Sequence, residues 1–257
     1  MTSNSSTEPG ARRRLRIVSW NCHGSIGRGG RCDPERTLAV IAALDPDILA
    51  LQEVDGRSHL GRRALAFEFF AARLGGYLVE ARTVPRERRD YGHLLWSRGR
   101  VLRSGVHFLP GGRIEPRAAV DAVCQTALGP VRVLATHLGL GPWSRRVQAR
   151  FLASTIGADA GQLVALGDFN EWRHGGPVDA ALCERLPVRV SVPSWPARWP
   201  LVHMDRLYAS SAFQATARAV PAWMAHASDH LPLVVDLLPA EPSGITAGPV
   251  PRRTSSP

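Results

Sequence analysis

Hydrophobic and polar positions change period several times along the chain. Leu15 to Trp20 alternates weakly, as a half-buried strand does. Asp33-Pro34 then supplies an N-cap and a first-turn proline for a helix running through Ala43, with Leu38, Ile41 and Ala42 on its apolar side. Asp47 to Gln52, reading DILALQ, is a short apolar strand that ends in Glu53. Arg62 to Leu74 carries apolar residues at helical spacing and stops at Gly75-Gly76, a natural C-terminal cap. The period then drops to two. Tyr91 to Ser97, Val101 to Leu109, Ala118 to Leu128 and Val131 to His137 predict consecutive strands, with Gly129-Pro130 as the hairpin turn between the last two. Ser144 to Ile156 returns to helix. A strand at Leu163, a helix near Val178 to Arg185, and strands at Asp205 to Ser210, Phe213 to Val220 and Leu233 to Leu238 complete the pattern. Strand groups interleaved with helices, in two halves, predict two packed sheets covered by helices.

The polar Ser/Thr/Asn-rich start and the Pro/Ser/Gly-rich end predict disordered tails over residues 1–12 and 240–257. Between them lies one domain, 13–239, since 257 residues form one sizeable core and nothing marks a second. No apolar run approaches the roughly 20 residues that span a bilayer, and no segment reads as a secretory signal, so a soluble, cytoplasmic monomer is expected. The formal charge is +10, yet all 32 basic residues are arginine and none is lysine. With abundant Ala, Gly and Pro, that bias is what codon usage in a GC-rich genome produces, and the charge counts for less than its size. It favours an anionic partner without separating a nucleic acid, a phospholipid surface or a small phosphate ester. Cys22, Cys32, Cys124 and Cys183 are scattered and show no C-x-x-C pair, so free thiols are expected.

Candidate chemistry gathers at strand ends. In Gln162 to Glu171, QLVALGDFNE, an apolar run ends at Asp168 and Asn170, two residues apart and so pointing the same way from a strand end. Taken alone, Gly167-Asp168-Phe169-Asn170 reads better as a turn satisfying local backbone groups, and the other strand ends are what favour a site. Trp20-Asn21, Gln52-Glu53 and Thr136-His137 end other strands, Asp205 starts one, and Ser228-Asp229-His230 precedes the last. Oxygen donors such as Glu53, Asp229 and the Asn21 amide suit Mg²⁺ or Mn²⁺ better than zinc.

WN at 20–21, LQEVD at 51–55, YGHLLWSR at 91–98, THL at 136–138, GDFN at 167–170, MDRLY at 204–208 and SDHLPL at 228–233 together resemble the endonuclease/exonuclease/phosphatase superfamily. That superfamily includes deoxyribonuclease I, abasic-site endonucleases of the exonuclease III type, neutral sphingomyelinases and inositol polyphosphate 5-phosphatases. The resemblance spans residues 15 to 238 and implies an α/β fold, a four-layer α/β/β/α sandwich of two mixed sheets like that of deoxyribonuclease I. It implies Glu53 as principal metal ligand with Asn21 and Asp229 completing or supporting the shell, and Asp168 orienting and deprotonating the attacking water. Asn170 would hold water or a phosphoryl oxygen, His230 would contact the phosphate with Asp205 fixing its tautomer, and His137 would sit near the phosphoryl or leaving oxygen.

The implied activity is metal-dependent hydrolysis of a phosphodiester rather than a monoester. The chain has little room for the loops that fill DNA grooves, so a phospholipid or small-molecule substrate is favoured, with DNA or RNA as the alternative. A catalytically silent phosphate-binding module is the alternative from another class. The irregular segment Val190 to His203, with Trp195, Arg198 and Trp199, is the expected substrate lip. Its tryptophans stack on bases, enter a lipid interface or pack under the proline-rich loop. Two positions depart from the pattern: His23 replaces an acidic residue of abasic-site endonucleases, closer to bacterial uncharacterised and lipid-associated members, and His93 replaces an Asn. Each is open to a phosphate contact or to a packing role.

Overall fold

The structure, a computed structural model, describes residues 14–112, 115–157 and 160–241; the expected tails lie outside the described residues except at Ala240 and Glu241. Twelve strands and four α-helices follow in chain order: β1 (Leu15–Asn21), α1 (Pro34–Leu44), β2 (Ile48–Asp55), α2 (Ala66–Leu74), β3 (Tyr77–Val84), β4 (Tyr91–Ser97), β5 (Val101–Leu109), β6 (Arg117–Thr126), β7 (Gly129–His137), α3 (Pro142–Ile156), β8 (Leu163–Asp168), α4 (Pro177–Leu182), β9 (Val188–Ser191), β10 (Asp205–Ala209), β11 (Phe213–Arg218) and β12 (Leu233–Pro239). They form two six-stranded sheets, ordered β11-β12-β1-β2-β4-β3 and β5-β6-β7-β8-β10-β9. Among the described residues only β1–β2 and β7–β8 pair in parallel, and a helix bridges each, α1 in the first sheet and α3 in the second. Parallel neighbours need such a crossover, which sets one helical layer on each outer face.

The side-chain period of two sorts the residues into layers. On β1, Leu15 and Ile17 face the other sheet and meet Val131, Val133, Val164 and Leu166 in the central core. Val18 and Trp20 face outward against Val40, Ile41 and Leu44 of α1 and Phe67 and Phe70 of α2. On the second sheet, Leu134, Leu163 and Ala165 pack outward on Ala149 and Leu152 of α3 and Leu182 of α4. A strand buried on both faces carries apolar residues at successive positions, which is why β1 alternates only weakly in sequence. The layer order is α/β/β/α, as expected.

Four expectations need correction. Tyr77–Val84 is a strand that the sequence pattern does not reveal, because it lies on a sheet edge with only Ala81 and Thr83 buried. Helix α2 starts at Ala66 rather than Arg62, since Leu65 takes a left-handed backbone (φ 57°) and its N–H donates to Arg88 O. The β6–β7 hairpin turns at Ala127-Leu128, where Thr126 Oγ1 bridges the turn, and Gly129 and Pro130 belong to β7. The segment 190–203 is not irregular throughout: β9 ends at Ser191, and Trp195 pairs with Val202 as an isolated bridge.

Arg206 is fully buried on β10, one residue beyond Asp205 and so on the opposite face of the sheet. Its Nη1 donates to Asp179 Oδ1 at 2.9 Å and its Nη2 to the carbonyls of Glu171 and Arg173 at 2.5 and 3.0 Å. Tyr208 donates its hydroxyl to the same Asp179 oxygen. This fully bonded cluster fixes the chain just past Asp168 and Asn170 and so holds one wall of the site. Among the described residues no helix is long and apolar enough to cross a membrane.

Candidate active site

Strand register brings the expected residues together. His137 on β7 lies level with Asp168 on β8, and Asp168 lies level with Asp205 on β10, so three neighbouring strands of the second sheet present one row. In the facing sheet, Asn21 ends β1 beside Gln52 of β2. The ladder between β2 and β4 slips between Leu51 and Val54, and Glu53 within that bulge has φ 55°. A bulge re-aims a side chain, and here it turns Glu53 toward Asn21. Asn170 (φ 50°) and His23 (φ 49°) share this left-handed backbone, so strained non-glycine positions collect around the site. Gly167 (φ 152°) is forced by contact: a Cβ there would lie 1.9 Å from Thr136 O on β7.

Asp168 Oδ2 is the hub. Asn21 Nδ2 lies 3.1 Å away, His137 Nε2 3.5 Å and His230 Nε2 3.8 Å. Asp168 Oδ1 accepts the Asn170 backbone N–H at 2.8 Å, and Asn170 Nδ2 donates to Leu138 O at 2.9 Å, so both ends of that turn are fixed. His230 Nδ1 bonds Asp205 Oδ2 at 2.8 Å. Ser228 Oγ donates to Asn21 O at 2.7 Å, and Trp20 Nε1 donates to His230 O at 3.0 Å, tying the segment 228–230 to the end of β1. Arg117 Nη1 stands 2.9 Å from His137 Nδ1 and 3.0 Å from Glu115 Oε1. A guanidinium only donates, so His137 Nδ1 is the acceptor and the proton of the neutral ring is on Nε2, facing Asp168.

The charges follow from these contacts. Burial pushes the Asp168 carboxyl up to about 6; the His230 imidazolium opposes the rise and the Asp205 carboxylate adds to it. Burial also works against the His230 imidazolium, but the Asp205 and Asp168 carboxylates outweigh it and lift its pKa to about 10. Burial and then Arg117 push His137 well below the usual histidine range, leaving it neutral. Glu53 goes the other way: burial disfavours its carboxylate, yet the hydrogen bonds from His23 and the Asn21 amide hold its pKa below the ordinary value. At neutral pH the site therefore pairs a buried carboxylate and a buried imidazolium with a second, ionised carboxylate opposite.

The donor set fits a hard divalent cation. Glu53 Oε2 and Asp229 Oδ1 are each 3.5 Å from the same His23 Nδ1, so two carboxylate oxygens already converge on one point that draws positive charge. Among the described residues no three His, Cys, Asp or Glu side chains form a ready-made cage. The convergence of Glu53 and Asp229 suits Mg²⁺, which binds through one or two carboxylates and fills its remaining positions with water and phosphate. Asn21 Oδ1 accepts the His23 backbone N–H at 3.0 Å while Nδ2 donates to Glu53 Oε1 at 2.9 Å, so Asn21 braces the carboxylates.

The other expected residues are placed less centrally. Arg198 is exposed and lines a cleft of 450 Å³ together with His23 and Asp229. Trp195 is half-buried, packs against Trp172 with ring centroids 5.8 Å apart and planes inclined by 51°, and does not line that cleft. On the Arg117 side, Leu140, Trp143 and Gly111 line a second cleft of 300 Å³. Sequence reasoning missed Arg117, for which the only signal is a basic residue at the head of β6.

His93 is buried on β4 with Nε2 unpartnered among the described residues. Burial and then Arg117 push its pKa down to about 4. A histidine kept neutral in the fold lends full stability above its unfolded pKa of about 6.5 and loses it as pH falls through the folded value. Between pH 6.5 and 4, His93 therefore costs the fold up to about 3 kcal/mol. In urea melts over that window, His93→Gln flattens the fall in stability; an unchanged slope rules the linkage out.

The comparisons with known proteins agree with the geometry. Residues 18–230 match the model of the Endonuclease/Exonuclease/phosphatase family. The uncharacterized protein YbhP of Escherichia coli K12 is 32% identical over 117 residues, 42% of this chain and 46% of that protein, so the match covers about half the length of this curated relative. A crystal structure of an endonuclease/exonuclease/phosphatase from Beutenbergia cavernae superposes with a TM-score of 0.68 at 24% identity, over 89% of this chain and 72% of the other. The human Nocturnin catalytic domain, solved with a bound sulfate, gives 0.64 at 19% identity, over 88% and 95%. With the family model spanning β1 to the Ser228-Asp229-His230 segment, most of the chain's length, this chain belongs to the endonuclease/exonuclease/phosphatase family.

Proposed function

We propose that the chain is a divalent-metal-dependent phosphoesterase that hydrolyses a phosphodiester by in-line attack of water. The observation that carries this reading is the convergence of Asn21, His137 and His230 on Asp168 Oδ2 with Glu53 opposite, joined from five separate stretches of chain. Hydrolysis needs a deprotonated nucleophile, neutralised phosphoryl oxygens and a stabilised leaving oxygen. Asp168 takes the proton of the attacking water as the new P–O bond forms and the bond to the leaving oxygen breaks. The His230 imidazolium, held by Asp205, sits against a phosphoryl oxygen. His137, its Nε2 hydrogen fixed by Arg117, donates to the phosphoryl or leaving oxygen. Asn170 sets the Asp168 turn and offers its side-chain oxygen to water. Glu53 and Asp229, braced by Asn21, hold Mg²⁺ or Mn²⁺, which when bound supplies charge neutralisation on the phosphate.

A diester has two arms, and clefts open on two sides of the site, which supports a diester over a monoester. A phospholipid or small molecule is the favoured substrate, with DNA or RNA next. A silent binding module fits less well, since Asn21, Glu53, Asp168, Asn170, Asp205, Asp229 and His230 are all in place. Protein stripped with EDTA is expected to leave bis-p-nitrophenyl phosphate untouched and to regain turnover on adding Mg²⁺ or Mn²⁺, by roughly a hundredfold or more. Equal turnover with and without the ion sinks the proposal. Plasmid DNA, single-stranded RNA and phospholipid vesicles assayed in parallel rank the substrates.

A further inference from the structure

The 450 Å³ cleft beside Asp229 is more than the open side of the site. Two arginines line it, Arg28 and Arg198, both exposed, and neither forms an ion pair among the described residues. Most arginines around the site are committed: Arg57 and Arg62 to Asp55, Arg117 to Glu115, Arg206 and Arg189 to Asp179. Arg28 and Arg198 lie beside Asp229 without a carboxylate partner among the described residues, Arg198 with its guanidinium 6.0 Å from the Trp199 ring centroid, and Asp229 is the one acidic residue lining the cleft among the described residues.

Their backbone is anchored although their side chains are not. Arg28 N–H donates to His226 O at 2.9 Å and Ala197 N–H, next to Arg198, donates to Asp229 O at 2.7 Å. Both arginine-bearing loops are therefore pinned to the two ends of the segment 226–229, which leads straight into His230. The Arg28 loop comes so close that a Cβ on Gly27 would lie 2.2 Å from His226 O. Between the arginines the wall is apolar, from Ile26, Ala197 and Ala222. A cleft with fixed rims, an apolar floor and two free guanidinium groups suits an organic body that carries an anion.

We infer that Arg28 and Arg198 bind a second phosphate, carried on one arm of the phosphodiester substrate, so that the preferred substrate is a diester bearing a further phosphate on its sugar or polyol. This rests on the diesterase reading and names its substrate class. The diester phosphorus lies at Asp168 and His230, the substituted arm lies in the cleft, and its phosphate reaches the guanidinium groups. Arginine suits this task because its planar fork meets two phosphate oxygens at once.

The matched probes are thymidine 5′-(p-nitrophenyl phosphate) and the same ester with a 3′-phosphate, which release p-nitrophenolate from the same bond. The wild-type protein is expected to favour the 3′-phosphorylated ester by roughly tenfold or more in kcat/KM, the worth of one or two charge-assisted hydrogen bonds. Arg28→Ala/Arg198→Ala removes that preference, so that the two esters turn over with equal kcat/KM in the double variant. Equal turnover of the two esters by the wild type, or a preference that survives the double variant, overturns the inference. Calorimetry in EDTA supplies a readout without turnover: adenosine 3′,5′-bisphosphate should bind roughly tenfold tighter than adenosine 5′-monophosphate to the wild type, and equally to the variant. Selective binding without hydrolysis of either ester would refute the diesterase reading while keeping the cleft assignment. Hydrolysis of both without selectivity does the reverse.

Discussion

Asp168→Asn lowers kcat on bis-p-nitrophenyl phosphate by roughly a thousandfold while the melting temperature at pH 7 holds or rises. The substitution keeps the shape of the side chain and removes its basicity, and general-base groups contribute factors of about a hundred to ten thousand. At the hub the new amide meets three groups that point hydrogens at it, from Asn21, His137 and His230. Stability moves the other way for a reason read from charge. Burial lifts the Asp168 pKa to about 6, so ionising it inside the fold is costly at neutral pH, and that stability is regained only as pH falls below the folded value. A purely structural Asp168 would show the opposite pattern, a lower melting temperature with turnover to match. Steady-state kinetics and calorimetric melting on the same preparation decide between them, and a loss in kcat below tenfold removes Asp168 from the role of base.

Much of this arrangement is visible before folding because strand ends carry it. Apolar runs such as Leu163 to Leu166 must be buried, and the first polar residues after them must surface at the sheet edge, so Asp168 and His137 announce their place by what precedes them. Ordered across the chain, those endings carry the family resemblance. What stays hidden is whatever depends on pairing between distant segments. The slip between β2 and β4 that turns Glu53 inward has no local sign, because DILALQ reads as a strand that simply ends at Glu53, while the structure continues it through a bulge to Asp55. Arg117 reaches His137 only because β6 and β7 pair, and in sequence it is one of many arginines. The edge strands β3 and β9 escape notice because half-exposed edges lose the alternation that marks a central strand. In sequence Trp195 is open to packing as well as to a substrate contact, and the structure sets it against Trp172 with ring centroids 5.8 Å apart.

Replacing His230 should damage both the reaction and the fold, and the two losses separate. The imidazole lies between Asp205, 2.8 Å from Nδ1, and Asp168, 3.8 Å from Nε2, and both carboxylates are buried. Asp205 Oδ1 has no partner of its own, so His230 is the group that makes this carboxylate tolerable inside the sheet. His230→Ala leaves two buried carboxylates without a cation and is expected to cost roughly 3–5 kcal/mol of stability, read from urea denaturation. Turnover should fall by roughly a hundredfold or more as the positive charge at the phosphoryl oxygen goes. The pH course identifies the charge as the cause. A histidine whose folded pKa is raised to about 10 stabilises fully below its unfolded value of about 6.5, and that contribution fades as pH rises toward 10. The stability gap between wild type and His230→Ala should therefore be widest at pH 6.5 and below and narrow steadily up to pH 10. In Asp205→Asn/His230→Gln the unpaired charge is gone and an amide pair takes its place, so stability recovers toward wild type while turnover stays low. Recovery of both would make His230 a packing residue, and recovery of neither would mean that the imidazolium serves the fold through some contact other than Asp205.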